Sequence, residues 1–183
     1  MPDSFHKKQI PWIDVHAIHP ELINVKQSVY DPSGFDCTQP VMEAESGEYG
    51  AYTFEVNGFL IRFRVAKVTP TKIGQFVTLW KRLGNGSIQP YDLSDPVDFF
   101  IINTRKEDRC GQFVFPKSIL VEHDVFSINA NGGKRAIRVY PPWDVTASRQ
   151  AQKTQKWQVE YFIEMPKNGG IDIDRAKRLY QKS

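Results

Sequence analysis

The chain has 183 residues, of which 40% are hydrophobic and 13% aromatic, and its formal net charge is +3. This length and composition are typical of a single globular domain with a real core, and they exclude a disordered or low-complexity chain. They also exclude a membrane-spanning protein, because no run of about 18 apolar residues occurs.

The N-terminus and the cysteines predict a cytoplasmic protein. The first twelve residues, MPDSFHKKQIPW, lack the apolar core of a signal peptide. Cys37 and Cys110 are far apart and form no CxxC pair, so we expect two free thiols in a reducing compartment. No metal-binding motif occurs, and neither a metal nor a cofactor is predicted.

The charges are arranged in blocks. Segment 27–61 has six acidic residues and no Lys or Arg, whereas segment 56–91 has six basic residues and no acid. A second basic block, 125–159, has six Lys or Arg and only Asp144 as an acid. Two interpretations stay open: the acidic and basic segments pack together and neutralise each other, or the basic blocks bind an anionic partner.

The first third of the chain is predicted to contain a helix and a hairpin. Leu22, Val25 and Val29 form the helix stripe, and Asn57-Gly58 is a hairpin turn signal between two alternating strands. The predicted elements are an arm over 1–19, a helix over 20–30, an acidic segment over 43–49, and strands over 50–56 and 59–66.

The second strand of the hairpin is predicted to carry cations to a helix start. Arg62 and Arg64 share the face opposite the apolar residues, and Lys67 lies near the strand end. Ile73, Phe76, Val77 and Trp80 follow at i, i+3, i+4 and i+7, which predicts a helix over 71–82 capped by Thr71 or Thr69. The N-terminus of such a helix favours a phosphate.

The rest of the chain adds strands and helices to a single domain over 1–183. The nearly continuous apolar run 97–102 predicts a central buried strand. The other predicted elements are strands over 111–115 and 134–140, a short helix from Ser118, and helices over 149–164 and 172–181. Their order predicts an α/β or α+β domain in which helices flank a mixed sheet.

Five segments of the chain resemble the bacterial MepB family. They are EYGAYTF, FRVAKVTPTKIGQFVTLWKR, GQFVFPKSIL, GKRAIRVYPPWD and QAQKTQKWQVEYF, and the resemblance as a whole spans roughly 43–162. The family is named for a gene beside a multidrug efflux pump and its regulator, and this neighbourhood also implies a cytoplasmic protein.

The resemblance implies a restriction-endonuclease-like core of the PD-(D/E)XK class with a degenerate catalytic motif. That class uses two carboxylates to hold Mg²⁺ and a Lys to position the attacking water. Lys67 keeps the Lys place, and Gln75 lies where related nucleases carry a Gln, but Val65 occupies the Glu place. Only Glu45 or Glu48 could then supply a metal-binding acid, so non-catalytic binding is favoured.

The candidate nucleic-acid contacts lie in the two basic blocks. The bases would contact phosphates, and the aromatic residues would stack on a single strand. For each aromatic residue the alternative is packing in the core. The candidates are Arg62, Arg64, Lys67, Thr69, Lys72, Gln75, Lys134, Arg135, Arg138, Tyr140 and Trp143, with Trp157 as a further stacking residue.

Three functions follow from these observations. The first is sequence-tolerant DNA or RNA binding without catalysis. The second is a metal-dependent nuclease that uses Glu45 or Glu48 with Lys67, and only this function requires Mg²⁺. The third is an interaction module, linked to the neighbouring regulator, that binds a protein or small anion through the acidic segment 27–61. No membrane partner is expected.

Overall fold

Residues 9–181 are described by a computed structural model, in which eleven strands and five α-helices alternate with short turns. The helices are α1 (Pro20–Val25), α2 (Asp31–Ser33), α3 (Lys117–Glu122), α4 (Arg149–Gln158) and α5 (Ile173–Leu179). The strands are β1 (Val41–Met42), β2 (Tyr52–Val56), β3 (Phe59–Val65), β4 (Lys67–Val68), β5 (Gln75–Thr78), β6 (Trp80–Arg82), β7 (Ile88–Pro90), β8 (Phe99–Lys106), β9 (Arg109–Pro116), β10 (Ala136–Val139) and β11 (Phe162–Glu164).

The main sheet has six strands in the order β1-β2-β3-β8-β9-β11. Only β3 and β8 are parallel neighbours, so the sheet is mixed, as predicted. A second sheet has the order β10-β5-β4, and β6 pairs with β7 in a separate ribbon. The prediction of a mixed α and β domain with helices beside the sheet is therefore confirmed.

Turn chemistry explains the central hairpin. Asn57 and Gly58 both have positive φ, at 51° and 81°, which is the geometry that a two-residue turn between twisted strands requires. Across this turn Phe54 lies opposite Ile61, and both side chains are buried. The predicted hairpin is confirmed.

Each face of the main sheet is covered by its own core. On one face, Leu22, Val29 and Tyr180 from the helices pack against sheet residues such as Phe63 and Ile101. On the other face, residues of the second sheet and of α3, including Val77, Val139 and Leu120, cover Phe100 and Phe113. A strand in the middle of this sandwich is buried on both sides, and this is the position of the apolar run 97–102.

The helix predicted over 71–82 is wrong. Residues 75–78 and 80–82 are strands, and Gly74 just before them has a φ of +82°, which no right-handed helix accepts. The same residues also alternate, because Gln75, Val77 and Leu79 are buried while Phe76 and Thr78 are only half-buried. Two β-branched residues, Val77 and Thr78, favour the strand.

Three other boundaries differ from the prediction. The helix expected over 149–164 ends at Gln158, and Phe162–Glu164 instead pairs with β9 at the sheet edge. The helix expected over 20–30 changes after Val25 into a π-helical turn over Lys26–Tyr30. Of the predicted N-terminal arm, residues 1–8 lie outside the described part of the chain, while Trp12 and Ile18 pack into the core.

None of the helices described within residues 9–181 is both long and apolar enough to cross a membrane.

Candidate nucleic-acid interface

The first basic strand is neutralised by the acidic segment before it. Arg64 is completely buried, and its Nη1 and Nη2 atoms donate to Glu43 Oε1 and Oε2 at 2.9 and 2.7 Å. Arg62 also contacts Glu43, with 3.0 Å between Nη1 and Oε1. The expectation that Arg64 lies on an exposed face is wrong, because the second core covers that face of β3.

Lys67 is paired as well, but at the surface. Its Nζ lies 3.1 Å from Glu48 Oε2 and 4.4 Å from the centre of the Tyr49 ring. Glu45 points elsewhere and accepts from Arg82 Nε at 2.7 Å. The structure therefore brings one of the two predicted acids to Lys67.

These residues do not fit a Mg²⁺ site. Mg²⁺ needs several oxygen ligands in octahedral geometry, and a single carboxylate paired with a lysine supplies too few of them. Within residues 9–181, no group of three or more His, Cys, Asp and Glu side chains comes together in a way that could hold a metal ion.

The predicted strand–helix corner is a loop, so it offers no helix N-terminus to an anion. Lys72 is exposed in this loop, whereas Gln75 is buried and its Nε2 donates to the Arg105 carbonyl at 3.2 Å. Arg138 of β10 reaches across to the loop, donating from Nη2 to Thr69 Oγ1 at 2.9 Å and from Nη1 to the Gly74 carbonyl at 3.3 Å. Thr69 and Arg138 are thus brought together, and Lys72 lies in the same loop, where its carbonyl accepts from Thr69 Oγ1 at 3.5 Å.

The exposed cations of the second basic block have no acidic partners within residues 9–181. Lys134 and Arg135 are exposed and Arg138 is half-buried, and none of the ion pairs found within residues 9–181 involves them. The same holds for Lys153 on the adjacent helix α4. We call this region the β10–α4 surface; it comprises Lys134, Arg135, Arg138, Tyr140, Lys153 and Trp157.

A cleft of about 300 Å³ lies in the β10–α4 surface. Trp157 stacks on His123, with 4.1 Å between ring centroids and 8° between ring planes. Gln158 fixes the width of the cleft, because its buried side chain accepts from the Tyr140 N–H at 2.8 Å and donates to the Arg138 carbonyl at 3.0 Å. Gln150 and Thr154 complete the wall that α4 contributes.

Trp143 is not part of the cleft lining. Its half-buried ring packs edge-on against Phe162, with centroids 5.5 Å apart, and the Arg109 guanidinium lies 4.9 Å from its centre. The alternative of core packing therefore fits Trp143, while Tyr140 and Trp157 face the cleft.

Sequence reasoning named Trp157 as a stacking residue but missed its cleft neighbours Gln150, Thr154, Gln158 and His123. Gln150, Thr154, Trp157 and Gln158 are spaced i, i+4, i+7 and i+8, so a helical projection could have placed them on one face of α4. His123 carried no such signal, because it follows α3 and is brought to Trp157 only by the tertiary fold.

The similarity of the chain to known proteins agrees with the sequence motifs. The sequence profile of the MepB-like family matches residues 43–164. A crystal structure of MepB is 34% identical, with a TM-score of 0.70 over 82% of this chain and 99% of that one. No curated protein shows significant similarity. The chain belongs to the MepB-like family.

Proposed function

We propose that the protein binds nucleic acid through the β10–α4 surface and does not cut it. The observation that carries this proposal is that Lys134 and Arg138 line one cleft and that Lys134, Arg135 and Arg138 form no ion pair among residues 9–181. Three cations that lie close together in the chain and form no ion pair attract a polyanion's phosphates.

The phosphate contacts proposed here lie mainly outside the first basic block. Arg62, Arg64 and Lys67 already interact with Glu43 and Glu48, so a phosphate would have to displace a carboxylate. Lys72 and Thr69 extend the β10–α4 surface, because Arg138 holds their loop. The phosphate track then runs from Lys72 past Arg138 to Lys134.

The restriction-endonuclease-like core stays a prediction of the family resemblance. Support comes from the mixed sheet with its central parallel pair and from the helices beside it. The strand that replaces the helix expected after Lys67 departs from that order. A cytoplasmic location is part of the proposal, and it is consistent with Cys37 and Cys110, which are both free thiols.

Binding is tested by fluorescence anisotropy with short labelled DNA and RNA at low and rising salt. The variant Lys134→Gln/Arg135→Gln/Arg138→Gln should bind more weakly. Its slope of log affinity against log salt should fall by about 2 to 3, because each lost phosphate contact removes about 0.7 to 0.9.

The matched control is Lys67→Gln/Arg82→Gln/Lys167→Gln, which removes the same charge from three ion-paired residues. This control should keep most of the affinity of the wild type. Equal losses in both variants would mean that net charge alone drives binding, and binding by neither the wild type nor the control would reject the proposal.

A protein partner is the second candidate, favoured by a groove that residues of β1, β2, β3 and β6 line. The groove has a volume of about 940 Å³, and exposed Val41, Leu60 and Leu83 line it. Exposed apolar side chains in a concave surface are typical of interaction sites. A pull-down that recovers a protein after nuclease treatment, and loses it with Leu83→Glu, would support this candidate; recovery of nucleic acid alone would count against it.

A further inference from the structure

We infer that the cleft in the β10–α4 surface holds one unpaired base, so that the preferred partner is single-stranded. This inference rests on the proposed function and goes further, because it assigns a substrate class to a defined part of the surface. A duplex would use only the cations, whereas a single strand would use the cations and the cleft together.

The size of the cleft suits one heteroaromatic ring. Its volume of about 300 Å³ is at the lower end of the range for small-molecule sites, about 300–1,000 Å³. Strand β10 forms one wall and helix α4 the other, and Gln158 bonds to the β10 backbone across the gap. The walls are therefore held apart at a fixed distance before any ligand arrives.

The stacked rings of His123 and Trp157 line the cleft. His123 stacks on a face of the Trp157 ring, with centroids 4.1 Å apart, and the buried Phe115 lies 5.2 Å from the same ring at a tilt of 48°. A base would therefore stack on the outer face of His123, which Trp157 supports from behind. Trp157 and His123 are each half-buried, so part of each ring remains open to the cleft. Every base has a π-face, so stacking on such a platform is tolerant of sequence.

The opposite wall is also positioned by close packing. Tyr140 packs against the backbone of Gly74, where a Cβ atom would approach the tyrosine ring to 2.6 Å. Gly74 is therefore required for the position of this ring, and no larger residue would leave it there. Tyr140 and Trp157 thus face a common space from two different elements.

Polar groups for the edge of a base line the same space. The Gln150 amide and the Thr154 hydroxyl belong to the α4 wall, and neither takes part in the side-chain hydrogen bonds found within residues 9–181. An amide can donate and accept, and so can a hydroxyl, so together they can pair with any base edge. This arrangement predicts weak base preference.

The cations are placed to hold the phosphates on either side of the base. Lys134 is exposed and lines the cleft from the β10 side. Lys153 is exposed on α4 and lies one turn from both Gln150 and Trp157. The acids Glu122 and Asp124 flank His123 in sequence and are exposed, and Asp124 Oδ1 accepts from the Gly133 N–H beside Lys134 at 2.9 Å. The phosphates therefore lie nearer to Arg138 and Lys153 than to this end of the cleft.

A base in a duplex cannot reach this cleft. Its faces are covered by the neighbouring base pairs, and it must leave the stack before an aromatic side chain can contact it. A single strand presents its bases without that requirement. Strand selectivity therefore follows from the shape of the cleft, whereas affinity for phosphates follows from the cations.

The experiment compares three ligands of equal length: a single strand, its duplex, and an abasic strand with the same phosphates and no bases. We expect the single strand to bind about tenfold more tightly than the abasic strand, which corresponds to one stacked base. DNA and RNA versions distinguish the two sources of the strand.

Two variants locate the effect. Trp157→Leu should reduce the affinity for the single strand toward that of the abasic strand. Because Trp157 also contacts Phe115, the second variant, Thr154→Phe, fills the cleft without removing core atoms and should have the same effect. Trp80→Leu, which removes a half-buried indole outside the cleft, should preserve the preference.

Each outcome separates this inference from the proposed function. Equal affinity for the abasic strand and the single strand would overturn the base site and leave charge-driven binding intact. A preference for single strands that survives Thr154→Phe would also overturn it. Binding of none of the three ligands would reject the proposed function and this inference with it.

Discussion

Glu43 and Arg64 form a two-pronged ion pair in which the arginine is fully withdrawn from solvent. Arg64 Nη1 and Nη2 donate to the two oxygens of Glu43 at 2.9 and 2.7 Å, and the guanidinium lies 5.3 Å from the centre of the Phe100 ring. The sequence predicted that Arg64 lies on an outward face, but its side chain is in the interior. There its charge is balanced by Glu43, and the stability of the fold depends on that pair.

Replacing Glu43 should therefore destabilise the protein strongly. In Glu43→Gln the buried Arg64 loses its counter-charge, and breaking such a pair from one side lowers the free energy of unfolding by about 3–5 kcal/mol. Urea denaturation measures the change. The control is Glu48→Gln, because Glu48 is 71% exposed and its pair with Lys67 is worth about 1 kcal/mol or less. Similar losses in the two variants would contradict the interior role of Glu43.

Gly111 should not accept a methyl group. A Cβ at this position of β9 would run into the Phe162 ring and approach the Ile163 carbonyl oxygen to 2.7 Å, where β11 pairs with β9. We expect Gly111→Ala to lower the free energy of unfolding by about 1–3 kcal/mol through overpacking. Gly47→Ala is the control, because nothing lies within 4 Å of a Cβ there. Denaturation of both variants should give a clear difference, and equal stability would show that β11 can move aside.

The two thiols should react slowly in the folded protein. Burial raises the pKa of Cys37 to about 12 and that of Cys110 to about 11, and the thiolate is the reactive form. With an ordinary pKa of about 8.5, the unfolded chain should react at least about a hundredfold faster at mildly alkaline pH. A chromogenic disulfide reagent, applied with and without guanidinium, measures both rates. Fast reaction of the native protein would mean that a thiol is accessible and ionised.

Asp92 should make stability depend on pH in the acid range. Its carboxylate accepts hydrogen bonds from the Ser94 and Ala130 N–H groups and the Ser127 hydroxyl, and these hold its pKa well below the usual range. A lowered pKa means that the stabilisation is complete above the unfolded pKa, about 3.9, and is lost as the pH falls below it. Urea denaturation between about pH 7 and pH 3 should show the advantage of the wild type over Asp92→Asn shrinking at the acid end. A constant difference would exclude this contribution.

Turn residues and runs of apolar residues correctly predicted the central hairpin and the central buried strand. The Asn57-Gly58 turn fixes its hairpin because both residues accept positive φ, and the run 97–102 is apolar because β8 is buried on both faces. The apolar residues of segment 71–82 fit both the helical spacing i, i+3, i+4, i+7 and the alternation of a strand. The sequence could not reveal that Gly74 packs under Tyr140 or that β5 pairs with β10, and these contacts decide in favour of the strand.

The candidate site was predicted in part for a similar reason. Counting charges identified two basic blocks and left open whether acids neutralise them. The fold pairs Glu43, Glu45 and Glu48 with Arg62, Arg64, Lys67 and Arg82 of the first block, so neutralisation holds for these four residues, whereas Lys72 forms no ion pair within residues 9–181. No comparable acidic segment reaches Lys134, Arg135 and Arg138 among residues 9–181. Tertiary packing decides which basic block remains without ion-pair partners, and the amino-acid composition cannot predict this.

The parallel contact between β3 and β8 has a consequence for how the molecule can be divided. A cut in the exposed loop Gly84-Asn85-Gly86 would give one piece with β1 to β6 and another with β7 to β11. The two pieces would still be joined by hydrogen bonds from β3 to β8, from β5 to β10 and from β6 to β7. Neither piece contains all the strands of the main sheet, so we expect the two pieces to reassemble when they are mixed. A split reporter with one fragment fused to each piece should give a signal only when both pieces are present.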